Sequence, residues 1–331
     1  MTGGSYEKKA GDERQPASAE GSSGPPGRRR GIGFLLRSEK LKNTWAAYLF
    51  ILPAIALLGV FVIYPVFELM WVSLHQWNIL RDEMTYVGAS NFRAILSESD
   101  FWNALLNTLY FVIATVPLGM ALSLGLALLL NEKVKGVGLF RTAVFTPVIT
   151  STVAAGVIFI WLMDYDRGMI NHFLQAVGIG KINWLQSERW AMPAVIGMTL
   201  WKQAGYNMVL FLAGLQGIPD MYYEAAAIDG AKRGWQTFRF VTWPLLRPTT
   251  FFVLVISIIF AFKSFEQMYV MTRGGPVGAT TTLVYYIFDK AFKFGNMGQA
   301  AAVSVLMALI VMAITWLQFR SQSSDSVGSV D

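Results

Sequence analysis

Six long apolar blocks constrain this chain more than any other feature of its sequence. An α-helix needs about 20 mostly apolar residues to cross the hydrocarbon core of a bilayer, and every block reaches that length. The sequence therefore predicts an all-α integral membrane protein with six transmembrane helices. The predicted spans are residues 48–74, 104–130, 139–163, 191–217, 249–271 and 298–319.

The composition agrees with a lipid environment and argues against several kinds of chemistry. Hydrophobic residues make up 54% of the chain and charged residues 15%, which is too apolar for a soluble domain. Cysteine is absent and only two histidines occur, so we expect no metal centre. The segment GIGKI at 178–182 lacks the Ser or Thr of a phosphate-binding loop, and no G-x-S-x-G or H-E-x-x-H motif occurs. We therefore expect no catalytic residue, no cofactor bound by this chain and no nucleic-acid partner.

The positions of Lys and Arg predict which side of the membrane each segment faces, because these residues concentrate in cytoplasmic segments. Nine of them lie before the first apolar block. Ser, Gly, Pro and charged residues dominate residues 1–43, which we expect to form a disordered basic cytoplasmic tail. Residues 44–320 then form the membrane domain and residues 321–331 a short tail, with both termini in the cytoplasm.

The polar segment between the fourth and fifth blocks, PDMYYEAAAIDGAKRG at 219–234, predicts a short cytoplasmic helix. Asp220 can cap its N-terminus, and we expect the helix to run to about Lys232. Small residues spaced i, i+3, i+4 and i+7 would then share one face that a second backbone can approach closely. This face fits a docking site, and a plain surface connector explains the composition as well. The four residues are Ala227, Gly230, Ala231 and Gly234.

A second short helix is predicted directly after the first, in the stretch GWQTFRFVTWPLLRP. Its aromatic residues are typical of a helix that lies in the membrane interface. Pro244 and Pro248 are expected to end this helix and to redirect the chain into the fifth span. The sequence therefore predicts a cytoplasmic loop of two helices between transmembrane helices 4 and 5.

The stretch EAAAIDGA, followed by FRFVTWPLLRP, resembles the EAA loop of binding-protein-dependent ABC transporter permeases. The stretches at 139–163, 201–219 and 271–276 resemble the carbohydrate-import branch of that family, which contains the maltose and glycerol-phosphate permease subunits. The resemblance covers residues 44–320. The residues that match the EAA loop are Glu224, Ala225, Ala226, Asp229, Gly230, Ala231, Phe238, Pro244 and Pro248.

This resemblance implies a permease subunit in the bacterial cytoplasmic (inner) membrane, and it implies three kinds of partner. They are a second homologous permease subunit, a cytoplasmic ABC ATPase dimer that binds ATP and Mg, and an extracytoplasmic solute-binding protein. In such a complex the EAA loop inserts a coupling helix into a cleft on the ATPase. The residues expected to couple to the ATPase are Glu224, Ala225, Ala226, Asp229, Gly230 and Ala231.

Polar side chains inside the fourth and fifth predicted spans indicate a path for the solute. Ionisable and amide groups are costly in a bilayer and usually face a cavity or one another. Sugars bind such groups beside aromatic faces, which Trp201, Tyr206, Phe262 and Phe265 can supply. The candidate path residues are Lys202, Gln203, Tyr206 and Asn207 in the fourth span, and Lys263, Ser264, Glu266 and Gln267 in the fifth.

Each candidate also has a simpler interpretation. Lys263 and Glu266 are spaced i, i+3 and could pair with each other, and Lys202 could extend toward the interface. Such a pair would cancel any preference for an anionic solute. Two functions stay open: an ATP-driven import permease for a sugar or polyol, and a secondary transporter that uses Lys263, Glu266 or Glu68 as an ion relay. A purely structural membrane subunit is a third possibility, against which the clustered polar residues argue.

Overall fold

The computed structural model describes residues 48–79, 83–132, 135–232 and 234–327, with side chains up to Arg320. The predicted tail at 1–43 lies outside the described residues. The chain divides into two compact units, Met1–Ile63 and Tyr64–Asp331. In the first unit, the side chains of residues 48–63 are almost all exposed. The second unit contains every contact discussed below.

The described chain is mostly helical, with one small antiparallel hairpin. In the hairpin, β1 (His75–Asn78) pairs with β2 (Glu83–Tyr86). Three π-helical turns interrupt the helices, at Gly59–Ile63, Phe238–Thr242 and Asp289–Lys293. The helices are α1 (Tyr48–Ser73), α2 (Ser90–Ser97), α3 (Ser99–Asn131), α4 (Val137–Ile149), α5 (Thr152–Leu162), α6 (Met169–Ala176), α7 (Glu188–Gln216), α8 (Asp220–Ile228), α9 (Trp235–Phe262), α10 (Glu266–Met271), α11 (Leu283–Phe288) and α12 (Met297–Val327).

Four helices of the described chain are long and apolar enough to cross a membrane: α1, α3, α9 and α12. The bent pair of α4 and α5 makes five if the two count as one span. The predicted fourth span corresponds to α7, which has 29 residues. Polar residues such as Lys202 and Gln203 lower its mean hydropathy, so α7 is not among the four. The predicted number of six spans is thus reproduced only in part.

The third predicted span, 139–163, is not one straight helix. Helices α4 and α5 meet at Thr150 and Ser151 with a bend of 100°. Thr150 is extended, and it follows Pro147 and two β-branched residues, all of which weaken the end of a helix. The prediction of a continuous span was wrong at this break.

The fifth predicted span, 249–271, differs at both ends. Helix α9 begins at Trp235 and continues through Pro244 and Pro248, so the prediction that these prolines end a separate loop helix was wrong. A π-helical turn ends at Thr242, two residues before Pro244, and prolines are tolerated in membrane helices where neighbouring groups satisfy the freed carbonyls. The helix then stops at Phe262, and the non-helical residues 263–265 separate it from α10.

The core surrounds α7, which packs along α3 and also contacts α4, α9 and α10. Its largest cluster buries Phe111, Val195, Met198, Phe262 and Tyr285. Membrane helices gain little from hydrophobic transfer and depend on close packing, which small residues permit. Gly205 of α7 permits such close packing against α4, because a Cβ atom at this position would collide with the carbonyl oxygen of Val144.

At the end of the chain, α12 extends to Val327, so the backbone of residues 321–327 is helical where a short tail was predicted. The last turn of this helix simply continues the sixth apolar block, because no Gly or Pro intervenes before Gly328.

Candidate functional site

A polar cavity of 340 Å³ lies beside the middle of α7. Lys202, one of its lining residues, is the central residue of this 29-residue helix. The other walls come from the start of α5, the end of α9 and the start of α10. The cavity contains six of the eight predicted path residues: Lys202, Gln203, Lys263, Ser264, Glu266 and Gln267.

The other two predicted path residues lie elsewhere on α7. Asn207 is buried and donates from Nδ2 to Ser257 Oγ at 3.1 Å, beside a much smaller cavity that Gln203 also lines. The Tyr206 ring contacts the Phe260 ring, with centroids 6.1 Å apart. The structure therefore separates these two residues from the main cavity by about one helical turn.

Lys202 is fixed by the backbone of the broken helix. Its ammonium group donates to the carbonyl oxygens of Thr150 at 2.7 Å, Val148 at 3.3 Å and Pro147 at 3.4 Å. These carbonyls lie at the C-terminal end of α4 and its C-cap, where helical hydrogen bonding stops; the Pro147 carbonyl also accepts from the Thr150 amide and hydroxyl. Lys202 thus satisfies the end of α4 and does not extend toward the interface.

The break between α9 and α10 places Lys263, Ser264 and Glu266 at the cavity. Ser264 is buried and donates to the Phe260 carbonyl at 3.0 Å, and Gln267 Nε2 lies 3.5 Å from Thr199 Oγ1 on α7. No ion pair joins Lys263 to Glu266 in the described part of the chain. The pair that their i, i+3 spacing would allow in a helix is not formed, since helical geometry stops at Phe262.

Several cavity residues were missed or misplaced by sequence reasoning. Thr152 lines the cavity because the bend turns the start of α5 toward α7, and a straight span gave no sign of this. Of the four aromatic residues expected beside the solute, only Phe265 lines the cavity. Phe262 is buried in the core, and Trp201 packs on Phe159.

The loop helix α8 is shorter than predicted. It begins at Asp220, after the N-cap Pro219, so Asp220 is the first helical residue and makes no side-chain cap. It ends at Ile228, where Gly230 takes a φ of +83°. The amides of Gly230 and Ala231 donate to the carbonyls of Ala227 and Ala226, at 3.2 and 2.9 Å, which is the Schellman pattern of a helix end.

The early end of α8 removes the predicted small-residue face. Gly230, Ala231 and Gly234 lie beyond the helix, so only Ala227 belongs to it. No atom lies within 4 Å of a Cβ built on Gly230, and the positive φ is the reason for glycine there. The exposed residues of α8 and its C-cap are of mixed character: Met221, Tyr222, Glu224, Ala225, Ala227, Ile228 and the C-cap Asp229 are all exposed.

At the N-terminal end of α3, Glu98 forms a second polar cluster. Lys290 Nζ donates to both Glu98 carboxylate oxygens, at 2.7 and 2.9 Å, and the Tyr286 hydroxyl donates to the same carboxylate. Burial alone raises the pKa of Glu98, but these hydrogen bonds outweigh it and the pKa is lowered below 4.5. Burial and the nearby Glu98 carboxylate raise the pKa of Tyr286. Sequence reasoning missed this cluster because its members are nearly 190 residues apart.

A membrane bundle with a polar cavity halfway along a central helix, and with an exposed loop helix, defines a transport protein. The chain belongs to the family described as the binding-protein-dependent transport system inner membrane component, which matches residues 89–323. The membrane-protein family indicated by the EAA loop is therefore confirmed.

Three relatives are similar over most of their length. The sn-glycerol-3-phosphate transport system permease protein UgpA of Agrobacterium fabrum is 36% identical, over 86% of this chain and 97% of the relative. The trehalose/maltose transport system permease protein MalF of Thermococcus litoralis is 35% identical, over 83% and 93%. The lactose transport system permease protein LacF of Rhizobium radiobacter is 37% identical, over 84% and 93%.

Two solved structures share the fold. One is a bacterial ABC transporter involved in the import of the acidic polysaccharide alginate, with a TM-score of 0.76 and 23% identity, over 86% of this chain and 98% of that chain. The other is a bacterial alginate ABC transporter in complex with alginate pentasaccharide-bound periplasmic protein, with a TM-score of 0.75 and 24% identity, over 85% and 94%. At this identity the likeness concerns the fold alone.

Proposed function

We propose that this chain is the permease subunit of an ATP-driven importer for a sugar or a related polyhydroxylated solute. The observation that carries the proposal is the 340 Å³ cavity at the middle of α7, where hydroxyl, amide and charged side chains line the wall together with Met198, Phe260 and Phe265. Polar groups at this depth are costly unless they serve a cavity. The named cargoes of the relatives, glycerol phosphate and disaccharides, support a polyhydroxylated solute.

The proposed topology has six spans with both termini in the cytoplasm of a bacterium. In this topology α4 and α5 together form one broken span, and α7 forms another. With 29 residues, α7 is roughly 43 Å long, which exceeds the roughly 30 Å of a hydrocarbon core. Its polar residues face α4, α9 and α10 rather than lipid, which explains how a less apolar helix can cross.

We also propose that α8 is the coupling helix and docks on a cytoplasmic ABC ATPase dimer, which binds ATP and Mg. Its exposed Met221, Tyr222 and Ile228 offer apolar contacts, and Glu224 and Asp229 offer charged ones. A second homologous permease subunit would complete the path, and an extracytoplasmic binding protein would deliver the solute. In this proposal the coupling residues Ala225, Ala226, Gly230 and Ala231 set the length and end of α8.

The ion-coupled alternative has less support. It needs a relay of titratable groups, yet Lys263 and Glu266 do not pair. Glu68 lies on an exposed part of α1, with no hydrogen bond or ion pair to the cavity among the described residues. Nothing in the arrangement connects these groups into a path for protons or ions.

Uptake by reconstituted vesicles tests the importer proposal. The chain is combined with the products of neighbouring transport genes, and uptake of labelled sugars and glycerol phosphates is measured with and without internal ATP. The key variant is Gly230→Leu, which strains the end of α8 because φ is positive there. Gly136→Leu is the matched control, since Gly136 has a φ of +82° and equally open surroundings, but lies before α4.

We expect uptake that needs ATP and the binding protein. Gly230→Leu should uncouple uptake from ATP hydrolysis, whereas Gly136→Leu should leave the coupling unchanged. Uptake by this chain alone, driven by an ion gradient and indifferent to Gly230→Leu, would refute the importer proposal and support the secondary transporter.

A further inference from the structure

The cavity beside α7 carries one positive charge in excess. Its charged side chains are two ammonium groups, Lys202 and Lys263, and one carboxylate, Glu266. Ionised groups inside a membrane protein are costly unless an opposite charge or a dipole faces them. The contacts of these three groups therefore decide which of them is available to a solute.

The hydrogen-bond donors of Lys202 are used within the protein. An ammonium group has three N–H donors, and three carbonyl oxygens at the end of α4 lie within 2.7 to 3.4 Å of Lys202 Nζ. These carbonyls form the negative end of the helix dipole, which favours a cation. No donor of Lys202 is left over for a solute.

Glu266 faces the same cavity from the start of α10. Its side chain is exposed, and no ion pair joins it to another described residue. One carboxylate against two ammonium groups leaves one positive charge in excess. Because the donors of Lys202 are engaged, Lys263 is the ammonium group that can present this charge to a solute.

Lys263 is the ammonium group of the cavity that has no partner among the described residues. It is exposed on the cavity wall, and in the described part of the chain its ammonium group makes no hydrogen bond, ion pair or ring contact. Other lysines near helix ends differ, since Lys290 is held by Glu98 and Lys293 by Asp289. Three N–H donors and a full charge are thus free at the middle of the bundle.

We propose that the solute is a polyhydroxylated anion and that Lys263 binds its phosphate or carboxylate group, an inference that rests on the importer function proposed above. Thr152 and Gln203, which are half-buried, supply hydroxyl and amide groups for the neutral part of the solute. The cavity volume of 340 Å³ is at the lower end for ligand sites, which fits a molecule of about monosaccharide size. A Lys263–Glu266 pair would cancel a preference for an anionic solute, and no such pair occurs among the described residues.

The test uses the complete transporter in vesicles, with saturating binding protein and internal ATP. Uptake KM is measured for two matched pairs, glycerol 3-phosphate against glycerol and glucuronate against glucose, so that phosphate and carboxylate are distinguished. Native protein is compared with Lys263→Gln, which removes the charge, and with Lys263→Arg, which keeps it. Because the same binding protein serves every variant, its own selectivity cancels in the comparison.

A second substitution controls for a change in net charge. Lys135→Gln removes one positive charge from an exposed loop residue outside the cavity. It should leave the KM of every solute unchanged.

We expect Lys263→Gln to raise the KM of the transported anion by about tenfold, the value of one lost charge-assisted hydrogen bond. Lys263→Arg should retain most of the affinity. ATP-dependent uptake of only neutral solutes, or an anion KM that Lys263→Gln leaves unchanged, would overturn the anion proposal and leave the importer function intact. No ATP-dependent uptake of any solute by the complete transporter would overturn both.

Discussion

Lys202 stabilises an interrupted membrane helix with a single side chain. Carbonyls at the end of a membrane helix need hydrogen-bond donors. The carbonyls of Pro147 and Val148 in α4, and of its C-cap Thr150, accept hydrogen bonds from the same ammonium group. Lys202, which the sequence predicted to contact the solute, thus makes its hydrogen bonds within the protein. Lys263 lines the same cavity and makes no such contact in the described part of the chain.

Substitution of Lys202 therefore tests a structural role. Lys202→Met should lower the free energy of unfolding by about 1 to 2 kcal/mol, because hydrogen bonds from a charged donor to the partly exposed carbonyls at the end of α4 are lost. Thermal unfolding of the purified protein in detergent measures this change. Lys135→Met, at an exposed loop position, is the control and should leave unfolding unchanged. An unaltered unfolding temperature in Lys202→Met would mean that α4 does not depend on this contact.

At the scale of the helices, a close crossing positions α4 against α7. Gly205 leaves room for the Val144 carbonyl, and Lys202, one turn earlier, reaches the end of the same helix. Both contacts lie on one side of α7. The position of α4, and with it the cavity wall, is therefore set by two residues three apart.

A pair of glycine substitutions on α7 tests this crossing. Gly205→Ala should destabilise the protein by about 2 kcal/mol, because the added methyl group meets a backbone carbonyl that can yield only if α4 moves. Gly197→Ala is the matched change on the same helix, where nothing lies within 4 Å. It should stabilise the helix by up to about 1 kcal/mol. Equal effects of the two substitutions on thermal unfolding would contradict the packing argument.

The sequence predicted the long helices well and their interruptions poorly. Hydropathy reports where a segment is apolar, and α1, α3 and α12 follow it closely. A break inside an apolar segment depends on tertiary partners instead. Lys202 donates to the carbonyl at the break at Thr150, and the end of α9 at Phe262 precedes five consecutive residues that line the cavity. Neither dependence can be read from local composition.

The candidate site was predictable to a similar degree. Polar residues in apolar segments identified six cavity residues, because the cost of burying such groups is a general rule. Which of them are satisfied by the protein was not predictable, since the Lys263–Glu266 spacing assumed a helix that is absent. In the loop, the identity of Gly230 was informative, but its reason is a positive φ and not close packing.

At the scale of the whole molecule, the cluster around Glu98 joins distant parts of the chain. Glu98 precedes α3, Tyr286 lies on α11, and Lys290 lies in the π-helical turn that follows. The lysine ammonium group also lies 5.3 Å from the Tyr286 ring centroid. This cluster ties the start of the third helix to the segment before the last one.

Stability should therefore depend on pH through Glu98. Its pKa in the folded protein is lowered below the ordinary 4.5, so the stabilising contribution is complete above about pH 4.5 and is lost as the pH falls through the lowered value. Glu98→Gln should lower the unfolding temperature at pH 7 and should flatten its decline in acid. Glu132→Gln, at an exposed carboxylate after α3, is the control. An unfolding temperature of Glu98→Gln that falls in acid as steeply as that of the native protein would argue against this assignment.

The helical interruption at residues 263–265 offers positions where side chains can change without loss of helix packing. Side chains within a regular helix pack against neighbouring helices, so substitutions there that change solute selectivity would also disturb the packing. Lys263 belongs to a short irregular segment beside the cavity, and its side chain is free of contacts within the described chain. Under the proposal that Lys263 binds the solute, substitutions at Lys263 would change selectivity while the helix packing at Gly205 and Lys202 stays unchanged, so the part of the chain that maintains the fold is separate from the part that can evolve.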